Sequence, residues 1–422
     1  MIINHLNARL VVIWSLFLFL LPSLFLISLI GSSLELGVRL GVISYAWMLA
    51  TIYLSTKPHW VDRLVGLSHL YVIHGILSLS AILLALFHKE LDPSQGLIKS
   101  TGEAALIIFL AVAAFSMLFL SGWLTSRIKI LDFIKKKLES YLKHEQSIWI
   151  HRLMLLATAL IFIHVLLIPE VTQNKFFVSL FSFVSLIVMS LYLWAAFAPQ
   201  AKGLEGHLKD CQKIGDHIVK LTISVPEQSQ LNIQPGDFVF ISFPEYPKMK
   251  EPHPFSVFNV PNMKQNIEFV IREVGDFTQQ LASLELGSRV SISQGFGQYQ
   301  SIIKRHQPSE LFIIAGGIGI VPLMAIMEAN SHIKTTLFYS VKRQEDFVHM
   351  ETLKKMSLKG NLHVFSQVGR HSEDIILREF STKSANSVVL LGGPTGMGRT
   401  WRKRLIQQGV APQRIYYEEF LW

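Results

Sequence analysis

Five histidines sit in or beside apolar stretches: His69, His74 and His88 in one, and His151 and His164 in another. An ionisable side chain inside such a stretch is costly and marks a functional site by default. Singly, each reads as an interfacial or hydrogen-bonded residue; two pairs at matched spacing carry more. His74 and His88 are 14 positions apart. On a helix that is ~21 Å of rise, with the two rings within about 40° of one face. His151 and His164 are 13 apart, or ~19–20 Å, and fall about 140° apart on an ideal helix, so tilt or local distortion must bring them to one side. If the two helices run in the same direction, His74 meets His151 at one depth and His88 meets His164 at another. Two facing imidazoles suit axial ligation of a haem iron. His69, five positions before His74, lies on another face and is left out of the ligand set.

The elements that must position these rings follow from composition. The chain has 422 residues, 50% hydrophobic and only 16% charged, against roughly 25% charged in a soluble domain. The apolar excess lies before about residue 200. Six stretches there lack Asp, Glu, Lys and Arg: Leu10–Leu34, Leu40–Thr56, Leu64–His88, Ala104–Ser126, Leu153–Pro169 and Phe176–Gln200. They approach or exceed the ~20 residues needed to cross hydrocarbon, the second and fifth by borrowing flanking residues. The first is too long for a signal-peptide core. With the N-terminus cytoplasmic, the inner segments carry Arg9, Lys57, Arg63, Arg127, Lys129, Lys135, Lys136, Lys137, Lys143 and Arg152. The outer segments carry Arg39, Lys89, Lys99 and Lys175. This asymmetry satisfies the positive-inside rule and places both termini in the cytoplasm. The net charge of +9 therefore points to a bilayer surface and away from nucleic acid. A single cysteine, Cys211, excludes an intrachain disulfide framework and a Cys-ligated metal site. No Asp-rich EF-hand loop is present, so direct calcium control is not expected.

After Pro199 the pattern changes to short alternating strands: His217–Val225, Phe238–Phe243 after Gln234-Pro235-Gly236-Asp237, and Ile267–Arg272. Closely spaced strands of this kind suggest a small antiparallel barrel. Within them, His253 and Phe255 offer an aromatic surface to a ring system, with Ser256 as a hydrogen-bond donor, although His253-Pro254-Phe255-Ser256 also reads as a plain turn. Gly275 and Thr278 open an apparent helix whose N–H groups suit a phosphate. From Glu310 the chain reads strand–turn–helix, with Gly316, Gly317 and Gly319 before Pro322. Such glycines admit a pyrophosphate to a helix end, or simply make a tight turn. A strand Thr336–Val341 ends in Lys342 and Arg343, suited to a ribose 2′-phosphate or to plain solvation. A late strand, Ser387–Leu391, runs into Gly392-Gly393-Pro394-Thr395-Gly396-Met397-Gly398. Alternating strands and helices imply a doubly wound parallel sheet. The predicted architecture is thus a membrane α-helical bundle of six transmembrane helices (1–200), an antiparallel β-barrel (201–304) and an α/β doubly wound nucleotide-binding domain (305–422).

Together these features resemble the superfamily of NADPH oxidases and ferric reductases, a six-helix ferric-reductase-type domain joined to a ferredoxin-reductase-like dehydrogenase. The likeness covers nearly the whole chain. Arg63-Leu64-Val65-Gly66-Leu67 through His74 to His88 is similar to the family's third helix, and His151 to His164 to its fifth. By that likeness His74, His88, His151 and His164 ligate two haems, b-type by expectation. Phe255 would pack near the isoalloxazine of FAD and Ser256 near its reactive nitrogen, with His253 and Pro254 in the same motif. Arg272, Gly275 and Thr278 would serve the ribityl and pyrophosphate region. Gly316, Gly317, Gly319 and Pro322 match the nicotinamide-nucleotide loop, and Gly393, Pro394 and Met397 the late Gly-Pro segment. Glu418-Glu419-Phe420 resembles the family's Glu-x-Phe terminus, whose ring stacks over the flavin, with Trp422 as the alternative ring.

Departures matter too. Gly392 stands where the family usually has cysteine, removing any thiol contribution beside the nicotinamide. Ala157-Thr158 stands where many relatives place an aromatic residue between the helix-five ligands. Arg39 is similar to an arginine near the outer haem that helps bind oxygen, while Asp92 stands where the oxidases have an extra histidine. The resemblance implies an integral protein of a bacterial inner membrane that passes electrons from cytoplasmic NADPH (or NADH) through FAD and two haems to an outer acceptor. Oxygen, giving superoxide, leads; a ferric chelate is the alternative; a nucleotide-sensing transporter is the distant one. Phe420, Ser256 and Arg39 are the expected catalytic residues, and no obligate protein partner is evident.

Overall fold

The computed structural model describes residues 8–30, 35–119, 144–197, 203–226, 232–260, 266–383 and 386–418, with positions 130, 133 and 137. Arg127, Lys129, Lys135, Lys136 and Lys143 lie outside the described residues, as do Glu419, Phe420, Leu421 and Trp422. The chain divides into a helical unit, Ala8–Val65 with His69–Ala198, and an α/β unit, Pro199–Phe420.

The helical unit has six helices long and apolar enough to cross a membrane. They are α1 (Arg9–Ser28), α2 (Leu36–Ser55), α3 (Leu67–Leu91), α4 (Gly96–Phe119), α5 (Gln146–Leu166) and α6 (Lys175–Phe197). Large apolar side chains such as Phe19, Ile27, Phe183 and Trp194 point outward and are exposed. A surface of that kind suits hydrocarbon, where the backbone is satisfied within each helix. The two short stretches borrow polar residues, as expected: α2 starts at Leu36 and takes in Arg39, and α5 starts at Gln146 and takes in His151 and Arg152. The distortion expected in the fifth helix is present. Regular helix runs His144–His151 and resumes at Leu153–Leu166. At the break, Leu155 N–H reaches back only three residues, to the Arg152 carbonyl at 3.0 Å.

Two cores hold the helices. Phe25, Leu29, Tyr45, Ala46, Leu49, Phe177 and Phe181 join α1, α2 and α6. Met48, Ala81, Ile82, Ala105, Phe109 and Ala157 join α2, α3, α4 and α5. Ala81 and Ala157 lie midway between the histidines of their helices, and both are fully buried. No aromatic ring stands at Ala157 or Thr158; the Thr158 hydroxyl donates to the Met154 carbonyl at 2.9 Å. Phe109 from α4 is buried in that cluster, and Trp47 of α2 packs against it.

The α/β unit contains two sheets. The first is antiparallel, built from β1 (Leu204–Gly215), β2 (Ile218–Ser224), β3 (Phe238–Ser242), β4 (His253–Ser256), β5 (Asn266–Arg272) and β6 (Arg289–Ile292). Their order is β4-β3-β6-β1-β2-β5. The chain beyond one edge strand touches the other edge at a single bridge, Val257 to Phe269. Its core is apolar and includes Leu221, Ile223, Val239, Ile241, Phe243 and Phe269. His253–Ser256, readable in sequence as a turn, is the edge strand β4, paired to β3 with His253 opposite Ile241 and Ser256 opposite Phe238.

The second sheet is parallel: β7 (Glu310–Gly316), β8 (Lys334–Val341), β9 (Leu362–Val368), β10 (Ser387–Gly392) and β11 (Ile415–Tyr417), in the order β11-β10-β7-β8-β9. β7 and β10 are neighbours although far apart in sequence, so the order of connection reverses between them. In an open α/β sheet, ligands bind at the carboxyl ends of the strands at such a switch point. β7 leads into α7 (Val321–Ala329) and β10 into α8 (Thr395–Gln407). The helix Tyr299–His306 buries Tyr299, Ile302 and Ile303 in the core of the parallel sheet, although its sequence position falls mostly before residue 304.

Candidate functional site

In the helical unit the four histidines form two pairs, as the spacing predicts. The rings of His74 and His151 are centred 6.1 Å apart, and those of His88 and His164 6.2 Å apart. Each ring is held through Nδ1. His74 donates to the Thr51 carbonyl at 3.0 Å, His88 to the Gly37 carbonyl at 2.8 Å, and His164 to the Ile98 carbonyl at 2.8 Å. His151 Nδ1 lies 2.9 Å from the Ser116 hydroxyl. That hydroxyl gives its own proton to the Val112 carbonyl at 2.7 Å, so it accepts from His151. All four neutral imidazoles therefore carry the proton on Nδ1 and leave the Nε2 lone pair on the far side of the ring, the arrangement a metal ligand needs. Two metal–nitrogen bonds of about 2.0–2.1 Å, with about 1.1 Å from nitrogen to ring centre on each side, give roughly 6.3 Å between rings. Both pairs fit that span. Among the described residues no group of three or more His, Cys, Asp and Glu gathers as a metal site, and two axial imidazoles are all that a bis-histidine haem requires.

Two glycines make room for the pair His88 and His164. A Cβ on Gly41 of α2 would stand 3.1 Å from the His88 ring, and one on Gly102 of α4 would stand 3.2 Å from the His164 ring. Gly41, Gly102, Ser116 and the carbonyls of Thr51, Gly37 and Ile98 were not legible as site residues, because a carbonyl has no residue type and a glycine in an apolar helix has many uses. His69 is exposed and belongs to neither pair. Arg39 is exposed in the first turn of α2, two residues beyond Gly37, whose carbonyl holds His88.

In the α/β unit, alternation along β4 puts His253 and Phe255 on one face and Pro254 and Ser256 on the other. His253 and Phe255 converge on Phe277, with ring centres 4.3 Å and 5.7 Å away. Phe277 leads the single turn Asp276–Gln279 and went unread inside Gly275-Asp276-Phe277-Thr278. Gly275 and Thr278, expected to hold a phosphate on N–H groups, lie together in this turn, with Gly275 at its start. The Thr278 hydroxyl accepts from Val274 N–H at 2.9 Å and from Gly275 N–H at 3.0 Å. Thr278 thus shapes the turn, while the space above Gly275 stays open, with no atom within 4 Å of where a Cβ would be.

At the switch point the two glycine segments meet backbone to backbone. A Cβ on Gly319 would collide with Gly393, and one on Gly392 would collide with the Gly319 carbonyl. Glycine at 392 thus has a physical reason, since a side chain there would meet the Gly319 backbone and Leu323. Met397 covers Gly316, where a Cβ would stand 2.7 Å from its sulfur. Gly317 has φ +55° and faces open space, so a ligand can approach its backbone closely. Pro322 is buried in the first turn of α7, where its missing N–H costs nothing. Pro394 is exposed at the start of α8. The Gly393 carbonyl accepts from the Tyr417 hydroxyl at 3.0 Å, and the Leu391 carbonyl from the buried Tyr299 hydroxyl at 2.6 Å.

Arg272 and Arg343, expected to serve different nucleotides, share a carboxylate that sequence reading missed. Arg272 Nη2 lies 3.0 Å and Arg343 Nη2 3.2 Å from Asp346 Oδ1. Arg343 also faces Glu345 at 3.2 Å and Asp216 at 3.5 Å, whereas Lys342 is exposed. Burial alone raises the Asp346 pKa, but the hydrogen bond from Arg343 and the charge of Arg272 outweigh it and hold the carboxyl below its ordinary range.

Comparison with known proteins bears on this unit. Residues 204–397 match the family model of an FAD-binding domain. The gamma subunit of sulfhydrogenase 2 from Pyrococcus furiosus is 26% identical over 214 residues, 45% of this chain and 72% of that protein. The electron transfer subunit of dihydroorotate dehydrogenase B (NAD(+)) from Shouchella clausii is 25% identical over 170 residues, 39% of this chain and 64% of that protein. Among solved structures, the CS-b5R domains of human Ncb5or (NAD+ form) are 20% identical over 52% of this chain and 70% of that one, with a TM-score of 0.46. Residues 204–397 therefore resemble an FAD-binding domain of the ferredoxin-reductase type. The class so defined is a flavin-dependent electron-transfer oxidoreductase.

Proposed function

We propose that this chain is a transmembrane oxidoreductase that moves electrons from cytoplasmic NADPH through FAD and two bis-histidine haems to an acceptor on the other side, with oxygen giving superoxide. The observation that carries this reading is the pair of histidine pairs, centred 6.1 Å and 6.2 Å apart, each ring tied through Nδ1. The cofactors supply the redox chemistry, with hydride accepted by the flavin and single electrons carried by the haems. The protein orients, ligates and insulates. His74 and His151 hold the inner haem, and His88 and His164 the outer one. Ala81, Ala157 and Phe109 fill the dry layer between the two levels.

In the same reading the chain forms a haem bundle over 1–200, a barrel over 201–304 and a nucleotide domain over 305–422. Phe255 and Ser256 on β4 serve the flavin, and Phe420 covers it. Gly316, Gly317, Gly319, Gly393, Pro394 and Met397 receive the dinucleotide at the switch point, a placement supported by the meeting of both segments at the ends of β7 and β10. Lys342 and Arg343 favour the 2′-phosphate, Arg343 by exchanging its carboxylate partners for it. Arg39 lies on the outer side, near the level of His88.

Purified full-length protein in detergent tests this directly. Two haems and one FAD per chain are expected, with superoxide-dismutase-sensitive turnover by NADPH in air. Reduction of a ferric chelate without oxygen, with no superoxide in air, would make the acceptor ferric ion. Protein that binds nucleotide but carries no haem would support a nucleotide-sensing membrane protein and sink the electron path. Equal kcat/KM with NADH and NADPH would remove the role given to Lys342 and Arg343.

A further inference from the structure

Three of the four histidines are held by main-chain carbonyls, and His151 is held by a side chain. Its acceptor, Ser116 of α4, is placed by a second bond: the hydroxyl donates to Val112 one turn earlier at 2.7 Å and accepts from His151 Nδ1 at 2.9 Å. We infer that Ser116 is a positioning residue for the inner haem, fixing the tautomer of His151 and setting the reduction potential of that one site. The inference rests on the bis-histidine haem reading and deepens it.

The physical basis is the hydrogen bond behind the ligand. An N–H donated from Nδ1 makes Nε2 a stronger electron donor, which favours oxidised iron. A serine whose proton already goes to a carbonyl is a polarised acceptor, and the two bonds strengthen one another. No other acceptor for His151 Nδ1 is found among the described residues. Without the hydroxyl, the N–H is left unpaired in an apolar bundle, and the ring is free to turn or to move its proton to the nitrogen that must bind iron. The other three sites have no such weakness, since no side-chain substitution deletes a main-chain carbonyl.

The test is a redox titration of purified full-length protein, resolving two haem components, in wild type and in Ser116→Ala, Ser116→Thr and Ser116→Cys. His151→Ala first identifies which component belongs to the inner site, by its loss. In Ser116→Ala that component is expected to move to higher potential while the other stays, and haem at that site is held roughly 10- to 100-fold less tightly. Ser116→Thr restores the hydroxyl and the wild-type potential. Ser116→Cys, a weaker acceptor of similar size, gives a shift in the same direction and serves if the alanine variant does not accumulate. The inference is overturned if neither component moves in the alanine or cysteine variant, if both move together, or if threonine fails to restore the value. Wild-type protein that purifies without haem would instead defeat the parent reading, a result visible before any variant is made.

Discussion

At the scale of single residues, space decides as much as chemistry does. Gly102 faces the His164 ring closely enough that even a Cβ forces the ring to yield. Gly102→Val is therefore expected to cost the outer haem alone. Haem content should fall from two per chain towards one, with FAD retained, as read by pyridine haemochrome against flavin absorbance. Unchanged haem content would show that the ring has room to move. Gly392 is a second case, since a side chain there meets the Gly319 carbonyl and Leu323. Overpacking of this kind costs about 1–3 kcal/mol. Gly392→Cys should raise KM for NADPH severalfold without changing haem content, measured by steady-state kinetics; unaltered KM would refute the tight contact. The histidines were legible because a titratable group in an apolar run is conspicuous and spacing fixes its depth. The partners of their Nδ1 atoms were not, because Thr51, Gly37 and Ile98 act through carbonyls that every residue has.

At the scale of elements, hydropathy located the six long apolar helices found among the described residues and misjudged some ends. A helix begins where its backbone bonds begin, so Arg39 and His151 fall inside α2 and α5. Likewise the strands were legible where residues alternate or run apolar, as in β2, β3, β5, β7, β8 and β10. β1, β6, β9 and β11 were not read, β1 because its 12 residues mix charge and apolar character without a clear period. Nor does sequence show which loops meet. The loop after β8 reaches the end of β5 through Asp346, which takes Arg272 and Arg343 together. Asp346→Asn removes the charge that both arginines face. It should destabilise the α/β unit by about 1–3 kcal/mol, a typical penalty for stranding buried polar partners. The sign of the pH effect follows from the depressed folded pKa. The stability from this group is complete above the unfolded aspartate value of about 3.9 and is lost as pH falls through the lower folded value. Thermal melts of the full chain from pH 6 down to pH 3 should fall more steeply in the wild type than in Asp346→Asn; parallel curves would remove Asp346 from the acid response.

At the scale of the whole molecule, the chain joins a helical unit with two histidine pairs at different depths to an FAD-binding module. In the proposed reading the histidine pairs form a path for electrons from that module through the helical unit. If electrons cross the bilayer, donor and acceptor must be supplied on opposite faces. In sealed vesicles with the α/β unit outside, external NADPH should drive superoxide formation inside, read by a trapped dye. Superoxide confined to the NADPH side would mean that the flavin leaks electrons directly. The most direct measurement uses purified full-length protein without oxygen: NADPH is added in slight excess while haem absorbance is followed. Two haems per chain reduced in sequence, and reoxidised when oxygen is admitted, is the expected result. NADPH consumed with the haem bands unmoved, or protein with no haem bands at all, would contradict the proposed path through the histidine pairs.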